Sequence, residues 1–247
     1  MTREEDIRNA VETMRKGGVI LYPTDTVWGI GCDATNVEAV KRVYQIKQRD
    51  DSKALICLVD SDARLQRYFH QVPDVAWQLI DSLIGDEYSK PTTLVLDGAI
   101  NLAENLIAED GSIGIRITHE PFSKELCFRF QTAIVSTSAN ISGEPIIFDE
   151  VNLRQKLGKV IDFYLDNDRD IVTPSDDSVV FVVQNSAQYI TEITEQNSQN
   201  FTQFLRTSRG LNPQIYKSKF DEHMCIILRL GKMSSLSVPT AIIERFP

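Results

Sequence analysis

Residues 136–143 read STSANISG and follow the apolar run Ala133, Ile134 and Val135. A hydroxyl-rich stretch directly behind a short apolar run is the pattern of a buried strand opening into a loop. Hydroxyls, a carboxamide and flexible backbone N–H groups at the carboxyl end of a buried strand can replace the hydration shell of phosphate oxygens. The same residue types also build ordinary Asx and Ser/Thr turns. The anion reading therefore depends on a cationic partner elsewhere in the chain.

Such a partner stands far upstream. Asn36 is a good N-cap for a helix whose apolar face is Val37, Val40, Val43 and Tyr44, and this helix delivers Lys47 at its end. Lys47, Arg49 and Lys53 then precede an apolar strand at residues 54–59. One reading is a solvated charge run, partly offset by Asp50 and Asp51. The other follows from burial: a strand that enters the core immediately after three cations turns some of them inward, towards an anion.

Working outward, the periodicity alternates between helix and strand. Thr2 and Glu5 fit a capping box, Ile7, Ala10, Val11 and Met14 recur at helical spacing, and Gly17-Gly18 stop a helix over residues 3–16. Residues 19–22 are an apolar strand that Pro23 ends, placing Thr24 of the PTDT segment either at a strand exit or in a plain turn. Two amphipathic helical patterns follow in residues 61–86, then a strand at 90–96 and another at 113–117. The second of these carries Arg116, which needs a carboxylate or phosphate if buried and nothing if it lies on an edge. Residues 122–130 are helical, 133–135 are a strand, 150–157 a helix, and 160–165 and 178–183 strands. Alternation of this kind predicts an α/β domain with a mixed, twisted sheet. Strand exits carrying Thr24, Lys53, Arg116 and Ser138 would converge on one crevice.

From residue 184 the chain turns polar, reading QNSAQYITEITEQNSQN, a linker or an exposed helix, and the remainder to residue 247 has some apolar content, at 225–228 and 241–243, but is too short for a core of its own. The expected organisation is a domain over residues 1–183 and a C-terminal extension over 184–247 that packs on it. Within the extension, GKMSS at 231–235 has no accompanying H-I-G-H-like sequence and carries no assignment.

Composition narrows the function classes. The 247 residues are 42% hydrophobic and 25% charged, as in a soluble globular protein, and the net charge of -9 argues against nonspecific attraction to nucleic acid or anionic membrane. Any anion site must be local. Four widely spaced cysteines without a C-x-x-C pair, and three histidines, give no metal-ligand set, so no metal site is expected. The acidic N-terminus fits neither a signal nor a transit peptide, and no apolar run approaches a membrane span, so the expected location is the cytoplasm.

Taken together, GGVILYPTDTVWGIGCDA, IKQRDDSKALICLV, PTTLVL, IGIRI and STSANISGEP, in this order over residues 10–183, resemble the YrdC family of L-threonylcarbamoyladenylate synthases. The resemblance implies a twisted mixed α/β sheet with helices around a concave, positively charged cavity. It implies synthesis of threonylcarbamoyl-AMP and pyrophosphate from L-threonine, bicarbonate or carbon dioxide, and ATP with Mg²⁺. That product serves t6A modification of tRNA, with a downstream t6A transferase complex as partner and tRNA as an indirect one. Carried over by position, Lys47 and Arg49 match the family's K-x-R and take the catalytic role. Lys47, Arg49, Lys53, Ser136, Ser138 and Asn140 bind ATP phosphates, and Thr24 and Arg116 line the threonine pocket.

The chain also departs from the family pattern. Ala54 stands where K-P-L has proline, and Thr118 where a proline usually follows G-x-R-x. The later P-S-T strand has two imperfect candidates, residues 174–180 and 238–243. Two rivals use the same cavity: an RNA-binding module, and a carbamoyl transferase in which carbamoyl phosphate replaces threonine.

Overall fold

The computed structural model describes residues 2–48, 55–83, 91–142, 144–145, 150–157, 159–164, 179–185, 214–218, 223–229 and 243–245. The helices are α1 (Arg3–Arg15), α2 (Val37–Lys47), α3 (Leu65–Tyr68), α4 (Asp74–Leu83), α5 (Pro121–Phe130) and α6 (Glu150–Leu157). The strands are β1 (Ile20–Tyr22), β2 (Gly29–Gly31), β3 (Ile56–Val59), β4 (Thr92–Leu96), β5 (Ile113–Ile117), β6 (Ile134–Ser138), β7 (Phe163–Tyr164), β8 (Val179–Asn185), β9 (Gln214–Ser218), β10 (His223–Arg229) and β11 (Ile243–Arg245). They form one mixed sheet in the order β11-β9-β10-β8-β4-β5-β3-β6-β2-β1-β7.

Local chemistry accounts for the helix ends. The capping box on α1 forms in both directions, Thr2 accepting from the Glu5 backbone and Glu5 accepting from the Thr2 backbone. Asn36 caps α2 by accepting from the Ala39 backbone at 3.1 Å, an interaction worth about 1 kcal/mol. Glu120 does the same for α5, accepting from Phe122 and Ser123, with Pro121 at the first helical position. The apolar face of α1 (Ile7, Ala10, Val11, Met14) is buried, as is that of α5 (Phe122, Leu126, Phe130), and the two helices pack on each other.

Three elements differ from the sequence expectation. β6 runs on through Ser138 instead of stopping at Val135, because β3 and β2 supply partners beyond that point: Ile56 faces Ser136, Ile30 faces Thr137 and Gly29 faces Ser138. The first three residues of STSANISG are therefore strand, and the loop begins at Ala139. The first helical pattern after β3 collapses to a 3-10 turn at Asp62–Arg64 and the four residues of α3. The polar stretch expected from residue 184 starts inside β8, which lies parallel to β4 and antiparallel to β10. Residues 231–235, 174–178 and 238–242 lie outside the described residues. Among the described residues no helix is long and apolar enough to cross a membrane.

Two results follow from packing. A Cβ on Gly31 would meet Tyr22 Cε1 at 2.6 Å and the Val135 carbonyl at 2.7 Å. Because one of those neighbours is backbone, Gly31→Ala is expected to cost about 1–3 kcal/mol. At about 2–4 °C per kcal/mol for a chain of this size, Tm measured by calorimetry should fall accordingly. Burial also pushes the Cys57 thiol up to about 12 and raises Cys32 and Cys127 as well. Mass spectrometry after treatment with a thiol reagent at pH 8 should find all three unmodified in the native protein and modified after denaturation.

Candidate active site

The end of α2 and the loop after β6 meet. Lys47 is only 2% exposed, and its Nζ donates to the Ser138 carbonyl at 2.5 Å, the Asn140 carbonyl at 2.9 Å and Asn140 Oδ1 at 3.2 Å, with Ser138 Oγ at 3.5 Å. The loop answers by capping the helix: the Ser142 N–H donates to the Lys47 carbonyl at 2.9 Å. Gln48 closes the helix in the left-handed region, φ 48°, so the chain leaves α2 at the point where the ammonium enters the loop. A cation at a helix C-terminus is favoured by the helix dipole as well.

The loop's own donors turn inward. Ser138 Oγ donates to Asn140 Oδ1 at 2.6 Å, Asn140 Nδ2 donates to the Glu144 carbonyl at 2.7 Å, and the Ala139 N–H donates to the Trp28 carbonyl at 2.8 Å. Lys47, Ser138 and Asn140, selected from two separate stretches of the sequence, are thus one hydrogen-bonded unit. Arg49 and Lys53 lie outside the described residues.

Register places the other candidates on one face of the sheet. Gly29 pairs with Ser138, and a Cβ on Gly29 would touch Thr24, Tyr22 and Ser136. Across β3, Ser136 pairs with Ile56, Ile56 pairs with Gly114, and a Cβ on Gly114 would touch Ile56 and Thr93. Arg116, two residues on from Gly114, projects from the same face. β5 lies between β4 and β3, so Arg116 is on a central strand and not on an edge.

Arg116 is 7% exposed. Its Nε and Nη2 both donate to Thr93 Oγ1, at 3.0 and 2.9 Å, and among the described residues no carboxylate forms an ion pair with it. Burial lowers the pKa of the guanidinium, while the nearby Asp25 and Tyr22 raise it. Tyr22 is itself buried, and its hydroxyl is held neutral far above the usual range, chiefly by burial.

Thr24 is buried and engaged inside its own turn, donating to the Val27 carbonyl at 2.7 Å. The PTDT turn is strapped to the start of α5. Asp25 Oδ2 accepts from Thr118 Oγ1 at 2.7 Å, and Oδ1 accepts from the His119 and Glu120 N–H groups at 2.7 and 3.0 Å. Ser123 Oγ donates to the Pro23 carbonyl at 2.5 Å. Sequence reasoning singled out Thr24 and Arg116 but missed Thr93, Asp25 and Thr118. The signal for Thr93 was its two-residue alternation within PTTLVL; for Asp25 it was the carboxylate in the segment already quoted.

Residues 12–192 match the sequence profile of a family described as telomere recombination, Sua5/YciO/YrdC. The chain belongs to the Sua5/YciO/YrdC family. It is 33% identical over 166 residues to the threonylcarbamoyl-AMP synthase of Pseudoalteromonas translucida, covering 67% of this chain and 88% of that relative. Among solved structures, E. coli YciO superposes with TM-score 0.62 at 24% identity, over 72% of this chain and 84% of that one. P. abyssi Sua5 complexed with L-threonine superposes with TM-score 0.63 at 23% identity, over 74% of this chain and only 52% of that chain. Both carry the same α/β fold. The family match agrees with the span of the five motifs, and the architecture of the Sua5/YciO/YrdC fold is the mixed sheet with flanking helices described above.

Proposed function

We propose that this chain is a threonylcarbamoyl-AMP synthase, using L-threonine, bicarbonate or carbon dioxide, and ATP. Relatives of that name match it over 85% or more of their own length. The observation that carries the reading is Arg116: a buried guanidinium without a carboxylate partner among the described residues, on the same face of the sheet as Ser136. Such a group is costly to bury unless an anion completes it. The carboxylate of threonine does so with two parallel N–H···O bonds.

The threonine amine adds to carbon dioxide and loses a proton, giving a carbamate. A carbamate oxygen attacks the α-phosphorus of ATP, and the bond to pyrophosphate breaks. The carbamate and triphosphate repel each other, so the protein's work is to position two anions and neutralise charge on the departing phosphates. Lys47, Arg49 and Lys53 supply that charge, Ser136, Ser138 and Asn140 shape the phosphate loop, and Thr24 with Arg116 holds threonine. Among the described residues no cluster of three or more His, Cys, Asp or Glu could hold a metal. Mg²⁺ would enter on the phosphates of ATP, as this ion usually does, keeping several of its waters. The product is a mixed anhydride that a downstream transferase moves to tRNA for t6A formation, and a cytoplasmic location suits that role. Residues 1–183 form the catalytic unit in this reading and 184–247 an extension packed on it; the pairing of β10 with β8 supports that arrangement.

Pyrophosphate release is the test. With Mg²⁺ present, release from ATP should require both L-threonine and bicarbonate. Release without threonine, or none while ATP still binds, overturns the reading. Carbamoyl phosphate and RNA are then the substrates to try.

A further inference from the structure

We infer that Thr118 is a positioning residue that holds Asp25 away from Arg116 and so keeps the guanidinium open to an incoming carboxylate. The inference rests on the proposed threonine site. Asp25 is the carboxylate whose charge acts on Arg116, yet the two form no ion pair. The reason is visible in its partners. Both carboxylate oxygens are occupied: Oδ2 by the Thr118 hydroxyl at 2.7 Å, Oδ1 by the His119 and Glu120 N–H groups.

Thr118 is itself fully buried, at 0% exposure, and its own N–H donates to the Val59 carbonyl at 3.0 Å. Its hydroxyl therefore has a fixed origin, at the end of the strand that carries Arg116. The backbone donors on Oδ1 survive any side-chain change at residue 118. The bond to Oδ2 does not. The half-buried Asp25 carboxylate then takes another donor for that oxygen, and the guanidinium of Arg116, with donors beyond the two given to Thr93, is the cation on which its charge already acts. Once that pair closes, a substrate carboxylate has to displace Asp25 before it can bind.

The inference separates charge from shape. Thr118→Val keeps the volume of the side chain and deletes the donor. Binding of L-threonine by calorimetry should weaken about tenfold, as expected when only about a tenth of the molecules hold Arg116 open. ATP binding should stay within about twofold of wild type on the same reasoning. Thr118→Ser restores the hydroxyl and should restore threonine affinity. Asp25→Asn, which cannot form an ion pair, should bind threonine at least as well as wild type. Combined with Thr118→Val, it should recover the lost affinity.

Wild-type protein that binds no L-threonine overturns the threonine site and this inference together. Wild-type binding with Thr118→Val unaffected overturns the inference alone, as does a loss in Thr118→Val that Asp25→Asn fails to recover. Should Thr118→Val not fold, Asp25→Asn decides by itself: a tenfold loss of threonine affinity would make Asp25 a direct contact and overturn the inference.

Discussion

Lys47→Ala is expected to lower the rate of threonine-dependent pyrophosphate release by at least about 100-fold at saturating substrate, the scale of losing one charge-stabilising donor. Two effects combine in this loss. The ammonium is the positive charge built into the phosphate loop, and it also fixes the loop's shape through the carbonyls of Ser138 and Asn140 and the carboxamide of Asn140. The Ser138 carbonyl keeps the Asn140 N–H and Asn140 Oδ1 keeps the Ser138 hydroxyl, so the Asn140 carbonyl is the oxygen that loses its donor, at a cost of about 1–3 kcal/mol in stability. The variant should therefore melt earlier as well as turn over slowly. Rate and melting must be read together. Measured well below its melting temperature, Lys47→Ala with wild-type turnover would mean that the loop needs no charge at this point. The same fall in rate is expected for Arg49→Ala.

Lys47, Ser138 and Asn140 were legible from the sequence as types. The helix that ends on Lys47 and the polar stretch behind Val135 each had a pattern of their own, and an anion reading linked them before any geometry did. Their mutual hydrogen bonds were not legible. Sequence suggested that Ser138 and Asn140 face a ligand, whereas Ser138 donates to Asn140 and Asn140 donates to Glu144. Short polar side chains bond to whatever backbone is near, and which backbone is near depends on where α2 ends against β6, a tertiary fact. The extent of β6 was missed for a related reason. Serine and threonine read as loop by composition, but a ladder continues wherever neighbouring strands offer partners, and β2 and β3 do so up to Ser138.

Alternation predicted the helices and most strands well, because α1, α2 and α5 each have a cap and an apolar face. α3 failed since four residues carry too little periodicity to separate a helix from a turn. Thr118 illustrates the remaining gap. As a sequence letter it was a departure from a family pattern; only its distance to Asp25 gives that departure a physical consequence.

Arg116→Met separates stability from function in the opposite direction to Lys47→Ala. Arg116 has a hydroxyl partner in Thr93 but no carboxylate among the described residues, and burial already disfavours its charged form. Replacing a buried, incompletely paired charge by an apolar side chain of similar length is often neutral or stabilising. Tm should hold or rise. Threonine affinity should nevertheless fall by at least about 100-fold, since two charge-assisted hydrogen bonds to the substrate carboxylate, worth about 1.5–3 kcal/mol each, disappear together. ATP affinity should change little, because in the proposed reading the phosphates sit at the Lys47 loop. Arg116→Lys keeps the charge without the fork and should recover only part of the threonine affinity. A methionine variant that unfolds would make Arg116 a structural residue. One that stays folded and binds threonine normally would move the substrate carboxylate elsewhere in the site. Stable protein with threonine binding lost and ATP binding kept is the combination that a buried guanidinium reserved for a substrate carboxylate produces, and neither a packing role nor a phosphate contact reproduces it.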